Sequence, residues 1–138
     1  MGQENNQLNE MIVNCLNTYI NHYAGQNIDN GVSDTFLCKD GLPLGFPYDS
    51  LSGIDVISID YLPLSDRCFM KKLKKGVRTL YVYYSLNGKY LQITISERNV
   101  KLMKKMKTIE LSNFGRYYYE YSCDKRAWEL AKTQYDGI

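Results

Sequence analysis

The sequence carries one histidine, His22, and none of the short motifs that mark common catalytic chemistry. It has no Gly-rich phosphate loop and no G-x-S-x-G elbow, so phosphate-cradling and serine-hydrolase mechanisms lose their usual local signatures. Cys15, Cys38, Cys68 and Cys123 are widely separated, with no C-x-x-C pair. A structural zinc needs four ligands at recognisable spacing, so no metal or cofactor site is expected. No run approaches the roughly 18 apolar residues of a membrane-spanning helix. The opening MGQENNQ is polar where a secretory leader has a basic segment and an apolar core. Met1-Gly2 lacks the Ser or Thr that a myristoylation start wants, because Asn6 holds that place.

These absences leave a soluble chain, either cytoplasmic or a mature extracytoplasmic domain. At 138 residues, with 44% hydrophobic and 23% charged content, it suits one globular domain over 1–138 with a single core. An oxidising compartment would permit two disulfides among its four cysteines. Cys15 falls on the apolar stripe of a helix, however, and reduced, mostly buried thiols are the expectation.

What is present is led by 79–97, TLYVYYSLNGKYLQITISE. Two period-2 runs flank Asn87-Gly88, a pair that meets the positive-φ demand of a type I′ turn. Taking those two residues as the loop pairs Leu86 with Lys89, Tyr84 with Leu91, Val82 with Ile93 and Leu80 with Ile95. One face is then Leu80, Val82, Tyr84, Leu91, Ile93 and Ile95. The other is Tyr81, Tyr83, Ser85, Tyr90, Gln92 and Thr94.

At the N-terminus, Gln3 to Ala24 repeats apolar residues at Leu8, Met11, Ile12, Cys15, Leu16, Tyr19, Ile20 and Tyr23, the stripe of an amphipathic helix ended by Gly25. His22 near its C-terminus reads as a surface residue favourably placed against the helix dipole rather than a catalytic base. Gln26 to Ser33 reads as a polar linker, and Thr35 to Cys38 as a short strand. The Gly/Pro-punctuated but apolar stretch Asp40 to Ser52 is expected to cover one end of the core. Ile54 to Leu62 reads as a strand buried on much of both faces and stopped by Pro63. Asp55 and Asp60 would project to opposite sides of it, a poor arrangement for paired acid–base carboxylates. Arg98 to Lys107 is open between a short helix and an irregular crossing. Thr108 to Leu111 reads as a strand, Ser112 to Gly115 as a turn, and Arg116 to Ser122 as a strand with Tyr117, Tyr119 and Tyr121 on one face. For Ala127 to Tyr135, propensity favours a helix. A tight turn at Cys123 to Arg126 would instead set Tyr121 opposite Trp128 and Tyr119 opposite Leu130, and the strand is preferred.

The assembled expectation is an α+β domain, one long N-terminal helix packed on a curved antiparallel sheet of five or six strands. By architectural analogy alone, this layout is similar to the cystatin-like and NTF2-like cones.

Charge is divided along the chain. Residues 1–66 hold nine carboxylates and one cation, while 67–138 hold sixteen cations and six carboxylates. The hairpin should gather Lys71, Lys72, Lys74, Lys75 and Arg78 near Arg98, Lys101, Lys104, Lys105 and Lys107, a basic sheet edge able to attract a polyanion. The competing reading is neutralisation by the acidic half, or lysines that blunt a sheet edge. A second candidate surface is the face of Tyr81, Tyr83, Tyr90 and Gln92, where rigid rings with polar tips suit a protein or glycan partner. The competing reading there is burial under Leu42 to Phe46. Nucleic acid ranks lower as a partner, since no helix-turn-helix, zinc-finger or RRM signature is present. The functional expectation is a non-enzymatic binding domain using one of these surfaces. The alternative is a small pocket enzyme or small-molecule binder. The 15 carboxylates leave a glycosidase-like pair open by count, but no local context selects two of them.

Overall fold

The computed structural model describes residues 2–23, 35–51, 54–58, 67–103 and 106–137. Helix α1 spans Gly2–Tyr23 and strand β1 spans Thr35–Cys38. A single 3-10 turn at Tyr48–Ser50 leads to β2 at Ile54–Ile57. Helix α2 is Arg67–Lys75, followed by β3 at Val77–Asn87, β4 at Tyr90–Met103, β5 at Met106–Ser122 and β6 at Ala127–Gly137. The six strands form one sheet in the order β2-β1-β3-β4-β5-β6. Among the described residues, no helix is long and apolar enough to cross a membrane.

The class is α+β, with one correction to the expected sheet. Strands β3 to β6 are antiparallel neighbours, but β1 runs parallel to both β2 and β3. The sheet is therefore mixed. Parallel neighbours need a crossover of about a dozen residues or more, which the runs between β1 and β2 and between β2 and β3 supply. Strand β2 is an edge strand, not a doubly buried one. Val56, Ile57 and Ser58 are only half-buried, and the described strand stops at Ile57. Gln26 to Ser33 and Ile59 to Leu62, Asp60 included, lie outside the described residues.

The hairpin keeps both expected faces but slides by two residues. Asn87 pairs with Tyr90, Leu86 with Leu91, Tyr84 with Ile93 and Val82 with Ile95. The loop is thus Gly88-Lys89, with φ of +65° at Gly88. A positive φ at the first central residue alone is the pattern of a type II′ turn. The even shift leaves every side chain on its face, and it gives Leu86 an apolar partner in place of Lys89.

Arg98 to Lys107 proves to be neither helix nor irregular crossing. It is divided between the end of β4 and the start of β5, with Lys107 at the register position opposite Leu102. Ser112 to Gly115 is likewise not a turn. Strand β5 runs straight through it, and the register with β4 shifts between Ser96 and Arg98. Turn-rich composition here marks a β-bulge, which needs the same local freedom as a turn. Gly115 has a packing role, since a Cβ there would sit 3.1 Å from Tyr19 Cδ2. The β5–β6 pairing has the expected partners, Tyr121 with Trp128, Glu120 with Glu129 and Tyr119 with Leu130.

Each face of the sheet has its own core. Met11, Ile12, Cys15, Leu16 and Tyr19 of α1 pack with Leu80, Val82, Leu91, Ile93, Ile95, Tyr117 and Tyr119, all buried. Leu42, Phe46 and Leu51 join this core. The 39–51 segment therefore covers the helix side and leaves the tyrosine face to something else. On that second face, Phe69 and Leu73 of α2 pack against Phe36, Val77 and Val100. The i, i+4 spacing of Phe69 and Leu73 gives α2 just enough apolar stripe to dock. Gly76, at φ +98°, ends it, with its N–H bonded to the Leu73 carbonyl.

All four cysteines are reduced thiols, but only Cys15 and Cys38 are buried; Cys68 and Cys123 are exposed. Burial pushes the Cys15 thiol from 9.0 up to about 12, opposed in part by its contact with the Tyr119 hydroxyl at 3.6 Å. Because the thiolate is the nucleophile, iodoacetamide at about pH 8 should label Cys68 and Cys123 in the native protein and spare Cys15 and Cys38. Intact-mass analysis checks this: two adducts are expected native and four in denaturant, while rapid native labelling of all four would contradict the packing.

Candidate functional site

Alternation along β3 and β4 puts Tyr81, Tyr83, Tyr90, Gln92, Thr94 and Arg98 on the face away from α1. Register across β5 adds Phe114, Arg116 and Tyr118, and β6 adds Lys132 opposite Tyr118. The result is a run of aromatic rings interleaved with cations. The Arg98 guanidinium carbon lies 4.0 Å from the centre of the Tyr81 ring, and its Nη2 donates to the Tyr83 hydroxyl at 2.7 Å. Lys132 Nζ sits 4.6 Å from the Tyr118 centroid and 5.5 Å from that of Tyr90. Lys89 approaches Tyr90 from 5.3 Å, and Arg116 lies 4.5 Å from Phe114. Tyr90 and Tyr118 meet edge to face at 5.8 Å, and the Gln92 amide donates to Thr94 Oγ1 at 3.1 Å.

Depth along this face varies. Tyr81 is buried, with the Arg98 guanidinium against its ring. Burial foremost, then the charge of neighbouring Cys38, pushes its phenol above the ordinary range. Tyr83 is 48% exposed, whereas Tyr90, Gln92, Arg116 and Tyr118 are half-buried and Lys132 is exposed. A cation over a ring contributes about 0.5–2 kcal/mol, so these pairs hold the cations in place against the sheet.

The basic segment before the hairpin is the exposed side of α2. Lys71, Lys72, Lys74 and Lys75 all face outward, with Lys72 Nζ 6.0 Å from the Phe36 ring. Because α2 packs on Phe36, Val77 and Val100, these lysines stand on the same side of the sheet as Tyr81, Tyr83 and Tyr90. Two surfaces that are separate in the sequence thereby become neighbours on one face.

Arg78 does not join them. It projects to the α1 side, where its Nη2 donates to Glu97 Oε1 at 2.9 Å and its Nε to Oε2 at 3.1 Å. The Tyr19 hydroxyl donates to the same Oε1 at 2.9 Å. Lys104 and Lys105 lie outside the described residues. His22 is exposed and stacks on Tyr135, with ring centroids 3.7 Å apart. Among the described residues, no group of three or more His, Cys, Asp or Glu side chains could hold a metal ion.

No protein-family model matches the chain, nor does any curated protein or solved structure. The face has to be read from its own chemistry. Arg116, Tyr118 and Lys132 are absent from the sequence-derived surface. The alternation of RYYYEYS places Arg116 and Tyr118 together, but their face depends on the β4–β5 register, which a bulge offsets.

Proposed function

We propose that the protein is a non-enzymatic binding domain whose ligand is a polyanion, held on the sheet face opposite α1. The observation that carries this reading is the docking side of α2, which adds four exposed lysines to a face already bearing Arg98, Arg116 and Lys132. Among the described residues this face carries three carboxylates: Asp136, exposed opposite Phe114, accepts from the Gln134 amide at 3.1 Å, and the other two are paired with lysines. Glu120 pairs with Lys89 at 3.6 Å and Glu129 with Lys125 at 3.3 Å, both near the β6 edge.

The cation–ring pairs also bear on the kind of polyanion. A base-stacking platform needs bare aromatic faces, as in single-strand-binding sheets. Here Tyr81, Tyr90, Tyr118 and Phe114 already have a cation over their rings. The surface therefore offers positive charge held by rings, which suits the sulfate, phosphate or carboxylate groups of a polymer better than its bases.

Heparin-affinity chromatography tests the reading. Lys71→Glu/Lys74→Glu on α2 and, separately, Lys132→Glu on β6 are each expected to elute at clearly lower salt than wild type. The charge-swapped pair Lys125→Glu/Glu129→Lys at the β5–β6 turn, which keeps both the ion pair and the net charge, is expected to elute with wild type. Unchanged elution of the first two variants, with circular dichroism showing them folded, would sink the proposal. A shift confined to the α2 variant would remove the tyrosine face from it.

A further inference from the structure

On the α1 side, the sheet extends past the helix. Towards the β3–β4 tip and the β5–β6 turn, core-face side chains emerge uncovered: Tyr84, Leu86, Tyr121 and Leu130 are large apolar residues, with Leu86 71% exposed. They do not form a flat patch. Between the first turns of α1 and these two hairpins lies a cleft of about 830 Å³, walled by Leu8, Met11, Leu86, Leu91, Tyr121 and Trp128. That size and composition fall within the range of small-molecule sites, which are concave, mostly apolar and few per protein.

One charge enters the cleft. Among the described residues of its lining, Arg126 is the one that carries a charge. Among the described residues, Arg126 makes no ion pair and is the one non-glycine residue at positive φ, +52°. A bulky residue in left-handed conformation costs free energy, and such outliers cluster at ligand sites. An apolar wall with a single unpaired guanidinium at one end is complementary to an apolar body with a single anionic head.

We propose that this cleft binds an amphiphilic monocarboxylate of the fatty-acid class. The carboxylate is taken by Arg126, and the hydrocarbon lies along Leu86, Leu91 and Trp128. The site lies on the opposite face from the polyanion surface and does not depend on it. A second copy of the chain would bury the apolar wall, but the described residues of the lining would set no carboxylate against Arg126.

The chain has one tryptophan, and Trp128 lies in the wall, so its emission reports occupancy directly. Sodium dodecanoate, titrated below its micellar range, is expected to shift Trp128 emission to shorter wavelength and to saturate. Dodecyltrimethylammonium, with the same tail and a cationic head, is expected to bind about tenfold or more weakly. Arg126→Gln should weaken dodecanoate by about the same factor, and Arg126→Lys should restore most of the loss. Leu86→Glu should abolish the response while far-ultraviolet circular dichroism stays native.

Three results would overturn the proposal. One is no saturable shift with dodecanoate. Another is equal affinity for the two head groups or for wild type and Arg126→Gln. The third is an emission shift that follows protein concentration with no ligand, which would assign the cleft to self-association.

Discussion

Replacing Arg78 by alanine is expected to remove about 3–5 kcal/mol of folding stability. Glu97 is buried at the β4–β5 bulge with its side chain 2% exposed, and it accepts both bonds from Arg78 and one from Tyr19. Removing the guanidinium leaves a carboxylate in the core with one neutral donor. The cost is dominated by that stranded charge and not by the intrinsic value of the pair. For this reason the combined variant Arg78→Met/Glu97→Leu/Tyr19→Phe, which removes all three polar groups together, should recover most of the loss. Urea denaturation of wild type and the two variants decides it. A loss below about 1 kcal/mol for Arg78→Ala would mean that the pair behaves as a solvated surface bridge.

Leu16→Ala is expected to cost about 2–5 kcal/mol. Leu16 is fully buried at the centre of the α1 stripe, among Ile12, Cys15 and Tyr19 and against the aliphatic face of the sheet. The truncation deletes transfer free energy and leaves a cavity that the flanking rings cannot fill without moving. Thr18→Ala, two residues along on the exposed side, should stay within about 0.5 kcal/mol of wild type. The comparison separates docking of α1 from helix propensity. Equal, small effects at both positions would show that α1 contributes little to the fold.

Both predictions rest on α1 and the hairpin, whose faces are legible without coordinates. The recurrence at Met11, Ile12, Cys15, Leu16 and Tyr19 and the alternation from Leu80 to Ile95 each report which side of an element is apolar. Such elements can only be buried against one another. The β5–β6 partners were legible for a similar reason, since Tyr121 with Trp128 follows from a tight turn and aromatic pairing. The hairpin register was less so. Asn87-Gly88 and Gly88-Lys89 both satisfy local turn chemistry, and the choice rests on whether Leu86 meets Lys89 or Leu91 across the strands.

Helix α2 shows the limit most clearly. RCFMKKLKK has two deeply buried side chains, Phe69 and Leu73, among four lysines, so its composition reads as a solvated basic run. It becomes a helix with a definite address only because Phe36 on β1, Val77 on β3 and Val100 on β4 offer one apolar patch. That patch exists because β1 inserts parallel to β3, a pairing across about forty residues that no local period encodes.

Residue order alone thus determined the two-sidedness of the elements: an aliphatic face for the long helix, a tyrosine face opposite, and a basic C-terminal half. Periodicity suffices for that, because it is a property of one segment. Tertiary structure decided which of those pieces share a side. It took Arg78 out of the basic edge to satisfy Glu97, carried the α2 lysines onto the tyrosine face, and left a cleft with Arg126 where the sheet outruns α1. Those outcomes depend on strand pairing and helix docking between distant segments, where each placement is set by the burial its partners make available.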